Sequence, residues 1–179
     1  MAKSPASGFT IIELMITLAI IGVLVSAALP SFKQMMQNYQ ARVAAESVSN
    51  GLSRARAEAV SKNVSVYFAL GAGTSWTVDY VVTPGPTSSP IDQRQSNEGS
   101  ANAAIAAVAS DGTTAATTIT FNNLGQVVAN ADASATLAQV TVTVSGGTQS
   151  LLVVINAGGS ARVCDPTLPA ANVRSCSHA

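Results

Sequence analysis

Few residues in this chain are placed to do chemistry. Glu13 is the first of them. It is the one acid inside residues 9–29, FTIIELMITLAIIGVLVSAAL, a run that is otherwise apolar or weakly polar. A carboxylate in such a run is costly to place in lipid and needs a partner for its charge. Cys164 and Cys176 are the two cysteines, twelve positions apart near the C-terminus. An even count in an exported domain favours a disulfide, and two free thiols are the alternative. Closing that loop contributes on the order of 3 kcal/mol. The last group is cationic: after Arg94 the only basic residues are Arg162 and Arg174, with the single histidine, His178, beyond them.

Catalytic constellations are missing from the sequence. One histidine cannot supply an HExxH pair, and there is no Gly-x-Ser-x-Gly and no phosphate loop. Gly71-Ala72-Gly73 does not open a helix, so it is no dinucleotide fingerprint. The expectation is a protein that is not an enzyme and carries neither metal nor other cofactor. The composition agrees. Of 179 residues, 10% are charged and 4% aromatic, and the formal net charge is +0. No overall basic balance advertises nucleic-acid binding. Outside the apolar run the chain is rich in Ala, Thr, Ser, Val, Asn and Gly, as expected for a β-rich exported domain. The length suits one such domain plus an anchor.

As a helix, the 21 residues of the apolar run span about 31 Å, enough for a bilayer core. Three readings compete. A secretory signal cut near Ser26-Ala27-Ala28 is shorter as a rule and lacks an internal acid. An ordinary single-span anchor leaves Glu13 unexplained. The third reading rests on Gly8-Phe9-Thr10-Ile11-Ile12-Glu13-Leu14. This stretch resembles the class III signal of type IV pilins and type II secretion pseudopilins.

The resemblance implies a leader peptide at 1–8. A prepilin peptidase would cut between Gly8 and Phe9 and methylate the amine of Phe9. It implies a transmembrane and assembly helix at 9–30, with Glu13 meeting the terminal amine of a neighbouring subunit and Pro30 kinking the helix. It also implies other pilins or pseudopilins as partners, an inner-membrane assembly platform, and a single-pass inner-membrane protein with a periplasmic domain that later joins a filament.

From Ser31 to about Lys62 the pattern predicts an amphipathic helix. Met36, Tyr39, Val43, Val48, Leu52, Ala55 and Ala59 recur at helical spacing. Arg42–Glu46, Arg54–Glu58 and Glu58–Lys62 stand four apart on the polar side. Beyond Lys62 the period becomes two. Strands are expected at 64–70, 76–82, 117–121, 126–128 and 162–164, with a short one near 105–108 in an Ala-rich stretch. Residues 137–144 and 149–155 form the clearest hairpin, across Ser145-Gly146-Gly147-Thr148. Residues 83–100, with Pro84, Pro86 and Pro90, read as loop, and 165–179 as a tail tied by the cysteines. The expected plan is α+β: a long N-terminal helix on a mostly antiparallel sheet domain at 63–179.

The run Ile119-x-Phe121-x-x-x-Gly125, then Val153-x-Ile155 and Gly159-x-x-Arg162-x-Cys164, resembles the GspH/FimT branch of the pilin superfamily. That branch holds minor type IV pilins and H-type secretion pseudopilins. The resemblance implies a minor pilin first, a secretion pseudopilin second, and a DNA-capturing minor pilin third. Members that contact DNA carry Gly-Arg-x-Arg; here the stretch is Gly159-Ser160-Ala161-Arg162. Arg162 and Arg174 are the candidate DNA contacts, and two cations make a small, salt-sensitive footprint. The other reading of Arg162 is a cap on the sheet or a partner for Asp165.

Overall fold

The computed structural model describes residues 8–81, 89–98 and 100–178. The leader residues before Gly8 and the start of the Pro-rich loop lie outside these. The chain forms two compact units, Met1–Met36 and Gln37–Ala179.

One helix, α1 (Ile11–Lys62), contributes to both units and contains Pro30. In the second unit it supplies the spine of the core. Its buried positions are Ala41, Ala44, Ala45, Ser47, Val48, Gly51, Leu52, Ala55 and Ala59, which fall on one face of the helix. Most are alanine, so the helix backbone comes close to what it covers. A Cβ at Gly51 would stand 2.7 Å from Phe68 Cε2. The expected apolar stripe holds from Val48 to Ala59 but not before it: Met36 is 41% and Tyr39 61% exposed. The large residues there face outward, and the small ones make the contact.

Two ion pairs form as the spacing predicts, Arg42–Glu46 at 2.8 Å and Arg54–Glu58 at 3.9 Å. Glu58 also accepts from the Tyr80 hydroxyl at 3.1 Å, from across the helix–sheet contact, instead of turning to Lys62.

Two antiparallel sheets, not one, lie beneath. The first comprises β1 (Val66–Leu70), β2 (Trp76–Tyr80), β3 (Asp92–Arg94), β5 (Thr118–Phe121) and β6 (Val127–Val128), in the order β3-β2-β1-β5-β6. The second comprises β4 (Ala103–Val108), β7 (Gln139–Val144), β8 (Leu151–Ile155) and β9 (Ala161–Cys164), in the order β4-β7-β8-β9. β3 falls inside the stretch expected to be loop; β4 is longer than expected.

Alternation puts Val66 and Phe68, Val140, Val142 and Val144, and Val153 and Ile155 into one core with Ile119 and Phe121. Phe68 stands opposite both Val78 and Ile119 in the first sheet. Its ring centroid is 5.8 Å from that of Trp76, whose indole N–H donates to Ser47 Oγ on α1 at 2.9 Å.

The sheets are stitched by the Val127 N–H to the Ala157 carbonyl, 3.3 Å, and by the Leu137 N–H to the Thr118 carbonyl, 2.8 Å. The β7–β8 turn is clamped to α1. Gln37 Nε2 donates to the Ser145 carbonyl at 2.8 Å, and Asn38 Oδ1 accepts from the Thr148 N–H at 3.0 Å and the Gln149 N–H at 3.2 Å.

Candidate functional site

The first site is the start of α1. Thr10 precedes the first helical residue, where an N-cap side chain belongs. Its hydroxyl accepts from the Glu13 N–H at 3.3 Å. Glu13 Oε2 accepts in return from the Thr10 N–H at 2.9 Å and the Thr10 hydroxyl at 2.8 Å. This reciprocal arrangement is a capping box, written in the sequence as Thr-x-x-Glu. The resemblance implies an intermolecular partner for Glu13 and does not single out Thr10; the signal for it is a threonine three residues before the acid.

The cap changes what Glu13 can do. One oxygen, Oε2, is committed to its own helix start. Among the described residues Oε1 has no partner, so the carboxylate keeps an oxygen able to accept from a second cationic group. That placement satisfies two helix-end donors and still presents negative charge at the helix's first turn.

Around this carboxylate nothing in the described chain covers the helix. Every large apolar side chain from Phe9 to Leu29 is at least 50% exposed. A window within α1 is long and apolar enough to cross a membrane, and none of it is buried. Such a surface is stable only in lipid or against other apolar helices. Gly8 and Phe9 stand just ahead of the cap, in non-helical chain. Pro30 is inside α1, where its ring withdraws one backbone donor.

The second site is the tail beyond β9. Cys164, at the end of β9, is bonded to Cys176. The Asp165 N–H reaches the Arg174 carbonyl at 2.8 Å, and Asp165 and Ser175 form a parallel bridge. Ser175 Oγ donates to the Leu168 carbonyl at 3.0 Å. The tail is thus a closed loop folded on itself.

The two candidate cations are in different circumstances. Arg162, half-buried on β9 opposite Val154, donates through Nη2 to the Val173 carbonyl and so holds the tail. Arg174 is exposed on the tail. At the aligned motif, Ser160 is engaged with Asn156 through both its N–H (3.1 Å) and its hydroxyl (2.7 Å). Gly159 is a packing residue: its φ is +80°, and a Cβ there would overlap the Gly125 carbonyl oxygen. Among the described residues no three His, Cys, Asp or Glu side chains gather as a metal-ligand group.

Against this geometry stand the resemblances to known proteins. The family described as type II transport protein GspH matches residues 44–159. The prokaryotic N-terminal methylation motif matches residues 3–29. Two crystal forms of the Pseudomonas aeruginosa type IV minor pilin FimU share the fold. One has a TM-score of 0.56 at 18% identity, over 79% of this chain and 98% of the other. The second has 0.51 at 19%, over 75% and 98%. The minor pseudopilin EpsH of the Vibrio cholerae Type 2 Secretion System has 0.53 at 14%, over 72% and 99%. No curated protein sequence matches the chain.

Proposed function

The chain belongs to the GspH family of minor type IV pilins and pseudopilins, and from that premise we propose that it is a minor pilin, cut between Gly8 and Phe9 and packed through its N-terminal helix into a type IV pilus or its tip. The observation that carries this reading is the uncovered apolar stretch of α1 from Phe9 to Leu29 with one carboxylate in its first turn. Apolar burial between neighbouring helices supplies cohesion. Glu13, with Oε1 turned to the methylated amine of an already placed subunit, supplies the axial register. Pairing the two removes both charges from an apolar medium together.

Until assembly, the same helix holds the subunit in the inner membrane with the sheet domain in the periplasm. The prepilin peptidase and the inner-membrane platform are its transient partners. Arg162 serves the tail by holding the Val173 carbonyl, which leaves Arg174 as the exposed cation.

The second reading is an H-type pseudopilin of the type II secretion machine. The family description, with its reference to type II transport, favours it. The disulfide-closed tail leans toward the pilus.

Glu13→Ala tests the shared part of both readings. The variant is expected to stay in the membrane fraction and vanish from sheared filaments; its normal recovery there would overturn both. Deletion of the gene separates the two. Loss of surface filaments with secretion intact supports the pilus, and loss of secreted proteins with filaments intact supports the pseudopilin.

A further inference from the structure

A groove runs between α1 and the disulfide-tied tail. Its volume is about 150 Å³, and its apolar lining, the floor, is Leu151 of β8 with Val163 and Cys164 of β9, beside the polar Gln149. A cavity of roughly that volume accommodates a benzene-sized group. The rim is charged, with Arg42 and Glu46 on the helix side and Asp165 and Arg174 on the tail side.

Three of the four charged rim side chains already have a hydrogen-bond or ion-pair partner. Arg42 Nε bonds Glu46 Oε1 at 2.8 Å. Asp165 Oδ1 accepts from the Thr167 N–H at 2.9 Å and its hydroxyl at 2.6 Å. Among the described residues, no hydrogen bond or ion pair engages the Arg174 guanidinium. Arg174 is therefore the one charged rim side chain without such a partner among the described residues, and its donors line the same groove as the apolar floor.

We propose that this groove recognises an acidic–apolar segment of a neighbouring filament subunit, seating one apolar side chain on Leu151 and Val163 and the adjoining carboxylate on Arg174. A carboxylate matches the planar fork of a guanidinium, and the apolar neighbour matches the floor. A nucleic acid backbone supplies the anion but not the apolar group.

The disulfide then has a role beyond stability. It joins the floor residue Cys164 to Cys176, two positions from Arg174, and so keeps that cation on the rim. The identity of the neighbour rests on the filament reading, but binding does not, and the test needs no filament.

The test uses the full chain in detergent micelles, with its Leu and Val methyl groups isotopically labelled for NMR. It is titrated with acetyl-Leu-Asp-amide and with the Asn and Lys counterparts. The Leu151 and Val163 methyl signals should move saturably with the Asp peptide and at least fivefold more weakly with the others. Arg174→Gln should keep the spectrum of a folded chain and erase the preference for Asp. Reduction with a phosphine should weaken binding as the tail is released. Four results would overturn the proposal: no movement with any peptide, an equal response to Asp and Lys, or movement on raising the protein concentration alone, which assigns the groove to a second copy. The fourth is a stronger response of the same signals to a short DNA duplex.

Discussion

Thr10 and Glu13 hold each other at the first turn of α1: the Thr10 N–H lies 2.9 Å from Glu13 Oε2, and the Thr10 hydroxyl 2.8 Å from the same oxygen. The carboxylate that the sequence offers to a neighbour is therefore oriented from within its own chain. Cleavage before Phe9 would leave the new amine one residue ahead of this cap. Thr10→Val, which keeps the shape and removes the hydroxyl, should leave membrane insertion unchanged and lower recovery in sheared filaments several-fold. Thr10→Ser should restore it. Immunoblots of membrane and shear fractions read both, and wild-type recovery of Thr10→Val would show that the cap does not position Glu13.

Gly159 and Gly112 separate two costs of a side chain. Both have positive φ, +80° and +72°, but a Cβ at Gly112 meets open space while one at Gly159 meets the Gly125 carbonyl oxygen. Gly112→Ala should cost about 1–2 kcal/mol for its left-handed backbone. Gly159→Ala should cost about 1–3 kcal/mol more, because the two turns must move apart. Denaturant titrations of the two variants give the difference directly; equal losses would remove the packing argument.

The Trp76–Ser47 hydrogen bond joins sheet to helix inside the core. Ser47→Ala leaves the indole N–H buried without an acceptor, an expected loss of about 1–3 kcal/mol. With Trp76→Phe already present, the same substitution should cost much less, since no donor remains to be orphaned. A double-mutant cycle measures that coupling, and additive losses would contradict it.

Acid should weaken the sheet domain through its turns. Asp111 accepts from the Thr114 hydroxyl and from the Thr113 and Thr114 N–H groups, which lower its pKa from 3.8 to about 2. The Asp132 pKa is also lowered, by the Ser134 hydroxyl and N–H. A folded-state pKa below the unfolded one means that the contribution of Asp111 is fully present above about 3.8 and lost as pH falls through about 2. The melting temperature should drop across that window, and Asp111→Asn should flatten the drop. A fall confined to higher pH would point to other groups.

The anchor is plain in the sequence because lipid imposes a composition: a run of 21 residues, apolar or near-apolar but for Glu13, matches the thickness of a bilayer and leaves little room for a soluble core helix. The hairpin at 137–155 is plain for a similar reason, since alternation and a Gly-Gly turn both demand it. Elsewhere the signal is carried by small or polar residues. Asp92-Gln93-Arg94 pairs with β2 through backbone groups, which no side-chain pattern announces. The helix buries Ala41, Ala44 and Ala45, although Met36 and Tyr39 are the more hydrophobic choices, because close approach to the sheets favours small residues. The partition into two sheets depends on links such as Val127 to Ala157, between residues distant in sequence. At the site, Thr10 is hidden because it counts as one more member of the apolar run. The sequence leaves Arg162 between a DNA contact and a cap on the sheet or a partner for Asp165, and the folded tail shows it donating to the Val173 carbonyl instead.

The N-terminus of the protein as it occurs in filaments tests the proposed assembly most directly. Mass spectrometry of the N-terminal peptide from sheared material should find a chain that begins at Phe9, carries one methyl group on its amine and retains Glu13. A chain beginning at Met1, or one cut near Ala28 so that Glu13 is gone, would contradict it.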